Sequence, residues 1–231
     1  EATKQKIIVV LSAMAGVTNE MQSYIDEIES NEKLENDLIL TSGENVTIAI
    51  LSAILKKRNI NSIPLLGWQV PIITDGNHQK AKILNINKKR IMDFLKDFDV
   101  IVLAGFQGIN IEGNITSLGR GGSDTTAVAI ASAVNADRCD IYTDVDGVYT
   151  TDPNLTKKAK KIKVLSYEEM LEMSSLGAKV MQPASIQDAK LNKVKIDVKS
   201  SFTNKPGTQI IGRKKIRDVS IIRGVSFTKN N

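Results

Sequence analysis

Cysteine, histidine and aromatic residues are scarce in this chain. Its 231 residues include one cysteine, Cys139, and one histidine, His78, and aromatic residues make up 4%. A single cysteine excludes an internal disulfide and fits a reducing compartment, so we expect a cytoplasmic protein in which Cys139 is a small buried apolar residue. One histidine argues against a metal cluster. The sequence has no signal-peptide pattern and no run of about 18 apolar residues, so it predicts no membrane partner.

The net charge of +5 comes largely from two local runs of basic residues. One run lies within residues 157–163 and the other within residues 213–217. Neither contains aromatic residues on which bases could stack, so we interpret both as solvated faces and expect no nucleic-acid partner. The first run follows an acidic turn, which leaves a contribution to phosphate attraction open.

Strand patterns alternate with helix patterns along most of the chain. Strands are predicted at residues 6–12, 62–66, 99–104, 140–143 and 194–198, with a hairpin over 109–115. Helices are predicted at residues 18–29, 41–57, 88–97, 127–134, 166–176 and 178–191. This alternation predicts an α/β fold with a largely parallel central sheet.

The segment 117–126, Ser-Leu-Gly-Arg-Gly-Gly-Ser-Asp-Thr-Thr, is typical of an anion-binding loop. Its three glycines allow a sharp turn, and Ser123 is expected to cap the helix that follows. The start of that helix offers free N–H groups, and Arg120 adds a planar fork suited to a carboxylate or phosphate. The alternative is an ordinary tight turn.

Two further segments carry polar side chains in places where ligands bind. Residues 143–153 form an acidic turn after the next predicted strand, at an edge where open α/β sheets bind ligands. Asp is also common in ordinary turns. Thr41 and Glu44 have the spacing of a capping box, so helix capping and substrate binding both remain possible roles for Glu44.

Taken together, these segments resemble the aspartate kinases of the amino-acid kinase superfamily. The matching segments are 12–14 with Thr18, 41–44, 104–108, 118–124, 142–153, 177–180, 200–202 and 206–208. The resemblance implies a three-layer α/β/α sandwich, in a protein that forms homo-oligomers. It also implies transfer of the γ-phosphoryl group of ATP, with Mg²⁺, to the β-carboxylate of L-aspartate, the first step of lysine, threonine and methionine biosynthesis.

The resemblance also implies roles for individual residues. Catalytic roles fall on Arg120, Ser123 and Asp124. Substrate binding falls on Thr18, Glu44, Arg120, Gly121, Gly122 and Ser123. Nucleotide binding falls on Ser12, Thr143, Asp144, Tyr149, Asp152, Asn154 and Lys179. No residue is implied as a metal ligand.

The chain departs from the family pattern in two places. It lacks the Lys-Phe-Gly-Gly segment that precedes the first helix in aspartate kinases, and Asn154 stands where the family usually has arginine. We expect residues 1–211 to be an amino-terminally incomplete kinase domain. Residues 212–231 are expected to be a linker and the first strand, 219–227, of a truncated regulatory ACT region. The alternatives are another member of the superfamily, namely an acetylglutamate, glutamate 5- or uridylate kinase, or a catalytically incompetent ligand-binding fragment.

Overall fold

The structure, a computed structural model, describes residues 5–153, 155–176, 180–213 and Gly224. It divides into two compact units, Glu1–Val134 and Asn135–Asn231, called unit 1 and unit 2 below. The predicted strand at 219–227 lies almost entirely outside the described residues, so the boundary at residue 211 stays a prediction.

Unit 1 contains seven of the described strands and five of the described helices. In chain order these are β1 (Ile7–Leu11), α1 (Val17–Glu27), α2 (Lys33–Leu40), α3 (Ser42–Lys57), β2 (Ser62–Leu65), β3 (Ile72–Thr74), β4 (Ile83–Ile86), α4 (Lys88–Asp97), β5 (Val100–Ala104), β6 (Gln107–Ile109), β7 (Ile115–Ser117) and α5 (Gly122–Val134).

Strand β5 is the centre of a three-stranded parallel sheet with the order β1-β5-β2. All five of its residues are buried, which is expected of a parallel strand covered on both faces. Val102 packs with Ile48 of α3 on one face, while Leu103 packs with Ile91 of α4 and Ile130 of α5 on the other. Each such aliphatic side chain contributes roughly 1.5–3 kcal/mol through burial. The α/β class and the layering of helices on both faces of the sheet are therefore confirmed in unit 1.

A second sheet in unit 1 has the order β4-β3-β6-β7. Its β6–β7 pair is antiparallel, with Ile109 opposite Ile115, which confirms the predicted hairpin. Gly113, at the turn, has a positive φ of 85°, a conformation that glycine adopts without strain.

Unit 2 is built on a four-stranded mixed sheet. Its elements are β8 (Cys139–Thr143), β9 (Val164–Ser166), α6 (Tyr167–Ser175), α7 (Pro183–Asn192), β10 (Ile196–Ser200) and β11 (Thr208–Ile211). The strand order is β8-β10-β11-β9, with β8–β10 and β11–β9 parallel and β10–β11 antiparallel. Cys139 is buried in β8, as predicted.

Three helices differ from the sequence predictions. Helix α5 begins at Gly122, five residues before its predicted start at residue 127. Helix α2, which no pattern in the sequence predicted, precedes α3. Helix α7 begins at Pro183 rather than at residue 178, because proline has no N–H to donate and suits the first helical turn. Residues 177–179 lie outside the described part of the chain.

The stretch Lys33–Lys57 is long and apolar enough to cross a membrane by length and composition alone. In the structure it consists of two helices, α2 and α3, that meet at Thr41. Ile48 of α3 packs against β5 in the core of unit 1. Core helices pass the same test of length and composition, so this stretch is weak support for a membrane span.

Candidate functional site

The carboxyl ends of β1 and β5 lie side by side in unit 1. Leu11 is in register with Ala104, and the N–H of Gly105 donates to the carbonyl of Leu11 at 2.9 Å. The loops that leave these two strands therefore start at the same edge of the sheet. Ligands of open α/β sheets bind at such edges.

Glu44, in the first turn of α3, is held at this edge by the loop after β1. Its Oε1 accepts a hydrogen bond from the backbone N–H of Ala13 at 3.0 Å. The side chain is buried, and Oε2 has no hydrogen-bond partner among the described residues. Burial raises the pKa of the Glu44 carboxyl above its usual value. A buried carboxylate oxygen without a partner is costly, and a cationic ligand group would satisfy it.

The capping-box interpretation of Thr41 and Glu44 is wrong. Thr41 has helical backbone angles, and its hydroxyl donates to the carbonyl of Asp37 at 2.8 Å instead of capping α3. The Glu44 carboxylate contacts Ala13, 31 residues away, rather than the N–H of Thr41. The close contact needs glycine at position 43, since a Cβ there would lie 2.7 Å from the Cβ of Ala13.

The glycine-rich loop between β7 and α5 uses two left-handed glycines, Gly119 and Gly121, with φ of 73° and 71°. The N–H of Gly122 donates to Gly119, and the carbonyl of Gly121 accepts the N–H of Thr125 at 3.0 Å. Helix α5 therefore begins at Gly122, and the prediction that Ser123 caps it is wrong. Ser123 lies inside the first turn, since glycines 119 and 121 complete the turn before it.

Three side chains predicted to act in catalysis surround the start of α5. Ser123 lies so close to Gly105 that a Cβ on that glycine would be 2.8 Å from its Oγ. Asp124 is largely buried, and burial raises its pKa to about 6. Arg120 is exposed and makes no ion pair within the part of the chain that the structure describes. The first turn of a helix also has N–H groups that no helical carbonyl accepts. This end of α5 thus combines anion-binding donors with one carboxylate of raised pKa.

Two other predicted residues of unit 1 lie on the loop and helix that follow β1. Thr18 is the second residue of α1 and is partly exposed. Ser12 is exposed, and its carbonyl accepts the hydroxyl of Thr47 at 2.9 Å. Ser12, predicted to bind nucleotide, therefore lies in unit 1, whereas the other described residues of that group lie in unit 2.

The acidic turn of unit 2 leaves the carboxyl end of β8. Thr143 is in register with Ser200 of β10, and its hydroxyl donates to Asp144 at 3.0 Å. Asp144 and Asp152 are exposed, while Tyr149 is partly buried. This strand end therefore presents a hydroxyl group and two exposed carboxylates.

Asp146, which the sequence did not single out, organises this turn. Its Oδ1 accepts the hydroxyl of Tyr149 at 2.8 Å and its Oδ2 accepts Lys161 at 3.2 Å. The Tyr149 hydrogen bond, and then Lys161, hold the pKa of Asp146 below its usual value. Lys161 also donates to the carbonyl of Pro206 at 2.7 Å. Lys161 is thus engaged within the turn, unlike the exposed Lys157 and Lys158.

Two predicted nucleotide-binding residues, Asn154 and Lys179, lie outside the described residues. The described residues include no group of three or more His, Cys, Asp or Glu side chains placed to hold a metal ion. Mg²⁺ in nucleotide sites is commonly held by one or two carboxylates together with phosphates and water. The exposed carboxylates of Asp144 and Asp152 fit that kind of donor set.

Comparison with known proteins points to one family. The model of the amino acid kinase family matches residues 1–200. An aspartokinase of Geobacillus stearothermophilus is 44% identical over 222 residues, covering 96% of this chain and 54% of that protein. The solved aspartate kinase from Synechocystis has a TM-score of 0.77 and 38% identity, covering 95% of this chain and 35% of that one. E. coli aspartokinase III in complex with aspartate and ADP has a TM-score of 0.77 and 26% identity, with coverages of 89% and 57%. The chain spans about half the length of the curated relatives that it matches.

Proposed function

This chain belongs to the amino acid kinase family, and from that premise we propose that it acts in an ATP-dependent aspartate kinase. The reaction would transfer the γ-phosphoryl group of ATP to the β-carboxylate of L-aspartate and form 4-phospho-L-aspartate. In this proposal the amino acid binds to residues of unit 1. The solved relative that contains both aspartate and ADP supports the choice of substrates.

The observation that carries the proposal is the unpartnered carboxylate oxygen of Glu44. Its Oε2 is buried and lacks a donor among the described residues, while Oε1 is fixed by Ala13. The α-ammonium group of an amino acid would supply the missing donor and neutralise the carboxylate. Arg120, exposed and without an ion-pair partner among the described residues, would bind a carboxylate of the same substrate through its planar fork.

The proposed chemistry requires no general base. The β-carboxylate of aspartate is ionised at neutral pH, because its ordinary pKa is about 3.9. Catalysis would then depend on holding this carboxylate in line with the phosphoryl group and on neutralising negative charge. Ser123 and the free N–H groups of α5 would donate hydrogen bonds, and Asp124 would orient a cation near the transferring group. Mg²⁺, bound with ATP, would neutralise charge on the phosphate oxygens.

In unit 2 we assign nucleotide binding to Thr143, Asp144, Tyr149 and Asp152. The hydrogen bond of Tyr149 to Asp146 and the bond of Thr143 to Asp144 hold this turn at the end of β8. Asn154 and Lys179 complete the proposed nucleotide-binding set. We also propose a cytoplasmic homo-oligomer that acts in the first step of lysine, threonine and methionine biosynthesis.

Trapping of the acyl phosphate with hydroxylamine tests the proposed function. The chain, and an extended form that carries the amino-terminal Lys-Phe-Gly-Gly segment of aspartate kinases, are each incubated with ATP, Mg²⁺ and L-aspartate, L-glutamate or N-acetyl-L-glutamate. A parallel assay measures ADP release with UMP. We expect hydroxamate from L-aspartate with the extended form, and about a hundredfold less from its Glu44→Gln variant. Product from another acceptor, without product from aspartate, would assign the chain to a different branch of the family. Nucleotide binding without any transfer would instead indicate a ligand-binding fragment.

A further inference from the structure

Asp37 of α2 is the centre of a buried hydrogen-bond network that the proposed reaction leaves without a role. The side chain has no exposed surface. Its Oδ1 accepts the hydroxyl of Ser117 at 2.5 Å and the backbone N–H of Gln79 at 3.1 Å. Its Oδ2 lies 2.6 Å from Nδ1 of His78. A buried carboxylate is tolerated only when it is bonded in this way, so the network fixes the groups around it.

The network joins two segments that are far apart in sequence. Gln79 and His78 belong to the loop that connects β3 and β4, which is closed by hydrogen bonds from Asn77 and Lys82 to Asp75 Oδ1, both at 3.1 Å. Gln79 has a φ of 66°, a left-handed conformation that surrounding contacts must hold. The bonds to Asp37 supply such contacts.

The second segment is the start of the glycine-rich loop. Ser117 is the last residue of β7, and its carbonyl also accepts the N–H of Ala81 at 3.0 Å. At Gly119, an added Cβ would lie 3.1 Å from the carbonyl oxygen of Gln79. The loop between β3 and β4 therefore packs against the glycine-rich loop at residues 117 and 119. Arg120 is the next residue.

We propose that Asp37 is a positioning residue, which acts through Ser117 and Gln79 to hold the glycine-rich loop in the conformation that presents Arg120 to the substrate carboxylate. This inference rests on the proposed function, in which Arg120 binds a carboxylate of the amino acid. Gly119 and Gly121 give the loop backbone large conformational freedom. Arg120 does not reduce it, because this exposed side chain has no ion-pair partner within the described part of the chain. A fixed loop lowers the entropy lost on binding, so the network strengthens substrate binding without contacting the substrate.

Ser117→Ala in the extended form tests the proposal, with Ser62→Ala as a matched control. Both serines are buried, and each loses one hydrogen-bonded hydroxyl. Ser62 bonds to Ser52 of α3 and does not contact the glycine-rich loop. We expect Ser117→Ala to raise the aspartate KM about tenfold, while kcat and the ATP KM change less than about twofold. Ser62→Ala should leave the aspartate KM unchanged. Equal effects of the two variants, or no effect of Ser117→Ala, would overturn the proposal.

A double-mutant cycle tests whether the effect passes through Arg120. In an Arg120→Ala background, Ser117→Ala should add less than about twofold to the aspartate KM, because coupled residues are not additive. A full tenfold effect in that background would show that Ser117 does not act through Arg120 and would overturn the inference.

Hydrogen–deuterium exchange measures the local stability of the glycine-rich loop in the absence of substrate. In Asp37→Ala, the amides of residues 118–122 should exchange at least about tenfold faster than in the unmutated protein, while exchange of the β5 amides stays unchanged. If Asp37→Ala fails to fold, Ser117→Ala is measured in its place with the same expectation. Unchanged exchange at 118–122 would refute the positioning role even in an active kinase. If exchange rises but no hydroxamate forms from aspartate with the unmutated protein, the proposed function fails and the structural role of Asp37 stands.

Discussion

Replacing Asp124 by asparagine is expected to stabilise the protein while it removes activity. The Asp124 carboxyl lies in the first turn of α5, largely buried and without a hydrogen-bond or ion-pair partner among the described residues. Asparagine has almost the same shape and carries no charge that burial would penalise. If Asp124 orients a cation in the reaction, the same change should reduce kcat about a hundredfold or more.

The size of the stability effect follows from the pKa. Burial raises the pKa of Asp124 from 3.8 to about 6, and a difference of about two pH units corresponds to roughly 3 kcal/mol at neutral pH. Asparagine loses the favourable interaction of a carboxylate with the helix N-terminus, which is worth about 0.3–1 kcal/mol. We therefore expect a net gain of about 2 kcal/mol at pH 7, or a rise in Tm of about 5 °C for a chain of this size.

The raised pKa of Asp124 determines whether the protein gains or loses stability as the pH rises. The folded chain holds the Asp124 proton more tightly than the unfolded chain does, so folding takes up protons between about pH 4 and pH 6. Protonated Asp124 contributes this stability in full below about pH 4, and the contribution is lost as the pH rises through the folded-state pKa of about 6. The advantage of asparagine should accordingly shrink to about half at pH 5.

Urea denaturation of the two proteins at pH 5 and pH 7, without nucleotide or Mg²⁺, measures this difference. Asp140→Asn in β8 is the control, because Asp140 is paired with Lys199 at 2.8 Å and its loss should destabilise. A variant that is less stable than the unmutated protein at pH 7, or a difference that does not depend on pH, would refute the reasoning. Retained kcat would remove Asp124 from the catalytic set.

Three further predictions concern the substrate and nucleotide residues. Glu44→Gln keeps an oxygen that accepts the N–H of Ala13, so the Tm should stay within about 2 °C of that of the unmutated protein. Hydroxamate formation from aspartate should fall about a hundredfold, and unchanged kinetics would contradict the proposed role of Glu44. Arg120→Lys should raise the aspartate KM at least about tenfold and leave ATP binding by calorimetry unchanged, since lysine lacks the bidentate fork. Neutralising Lys157 and Lys158 together should weaken ATP binding at low salt and less at high salt, where the Debye length falls below about 8 Å; equal binding at both salt concentrations would mean that both are merely solvated.

Long periodic elements were predictable from the sequence, whereas several short elements were missed. The predicted helix at 88–97 matches α4, and the strand at 99–104 matches β5 to within one residue. Strands β3 and β9 have three residues each, too few for a repeating pattern to appear. Helix α2 has eight residues, two of its buried side chains are polar, and tertiary contacts rather than an apolar stripe hold it in place.

The sequence indicated which residues belong to the candidate site, but it did not indicate which groups their side chains contact. Arginine and glycines before a helix are typical of an anion-binding loop, although an ordinary tight turn has the same pattern, and the role of Asp124 came from the resemblance to aspartate kinases. The bond from Ala13 to Glu44 and the bond from Ser117 to Asp37 span 31 and 80 residues. Local spacing contains no information on such contacts, which explains why a capping box was the natural alternative for Glu44 and why Asp37 was missed.

Successive side chains of β5 point to opposite faces of the sheet and therefore support different helices of the candidate site. Val102 supports the layer of α3, which carries Glu44, and Leu103 supports the layer of α5, which carries Asp124. A change of one methylene at either position displaces mainly the helix that it touches, because packed interiors transmit volume changes to their direct neighbours. Variation within a single strand of five residues can therefore alter the surroundings of Glu44 and those of Asp124 separately, without any substitution at the residues proposed to contact the ligand.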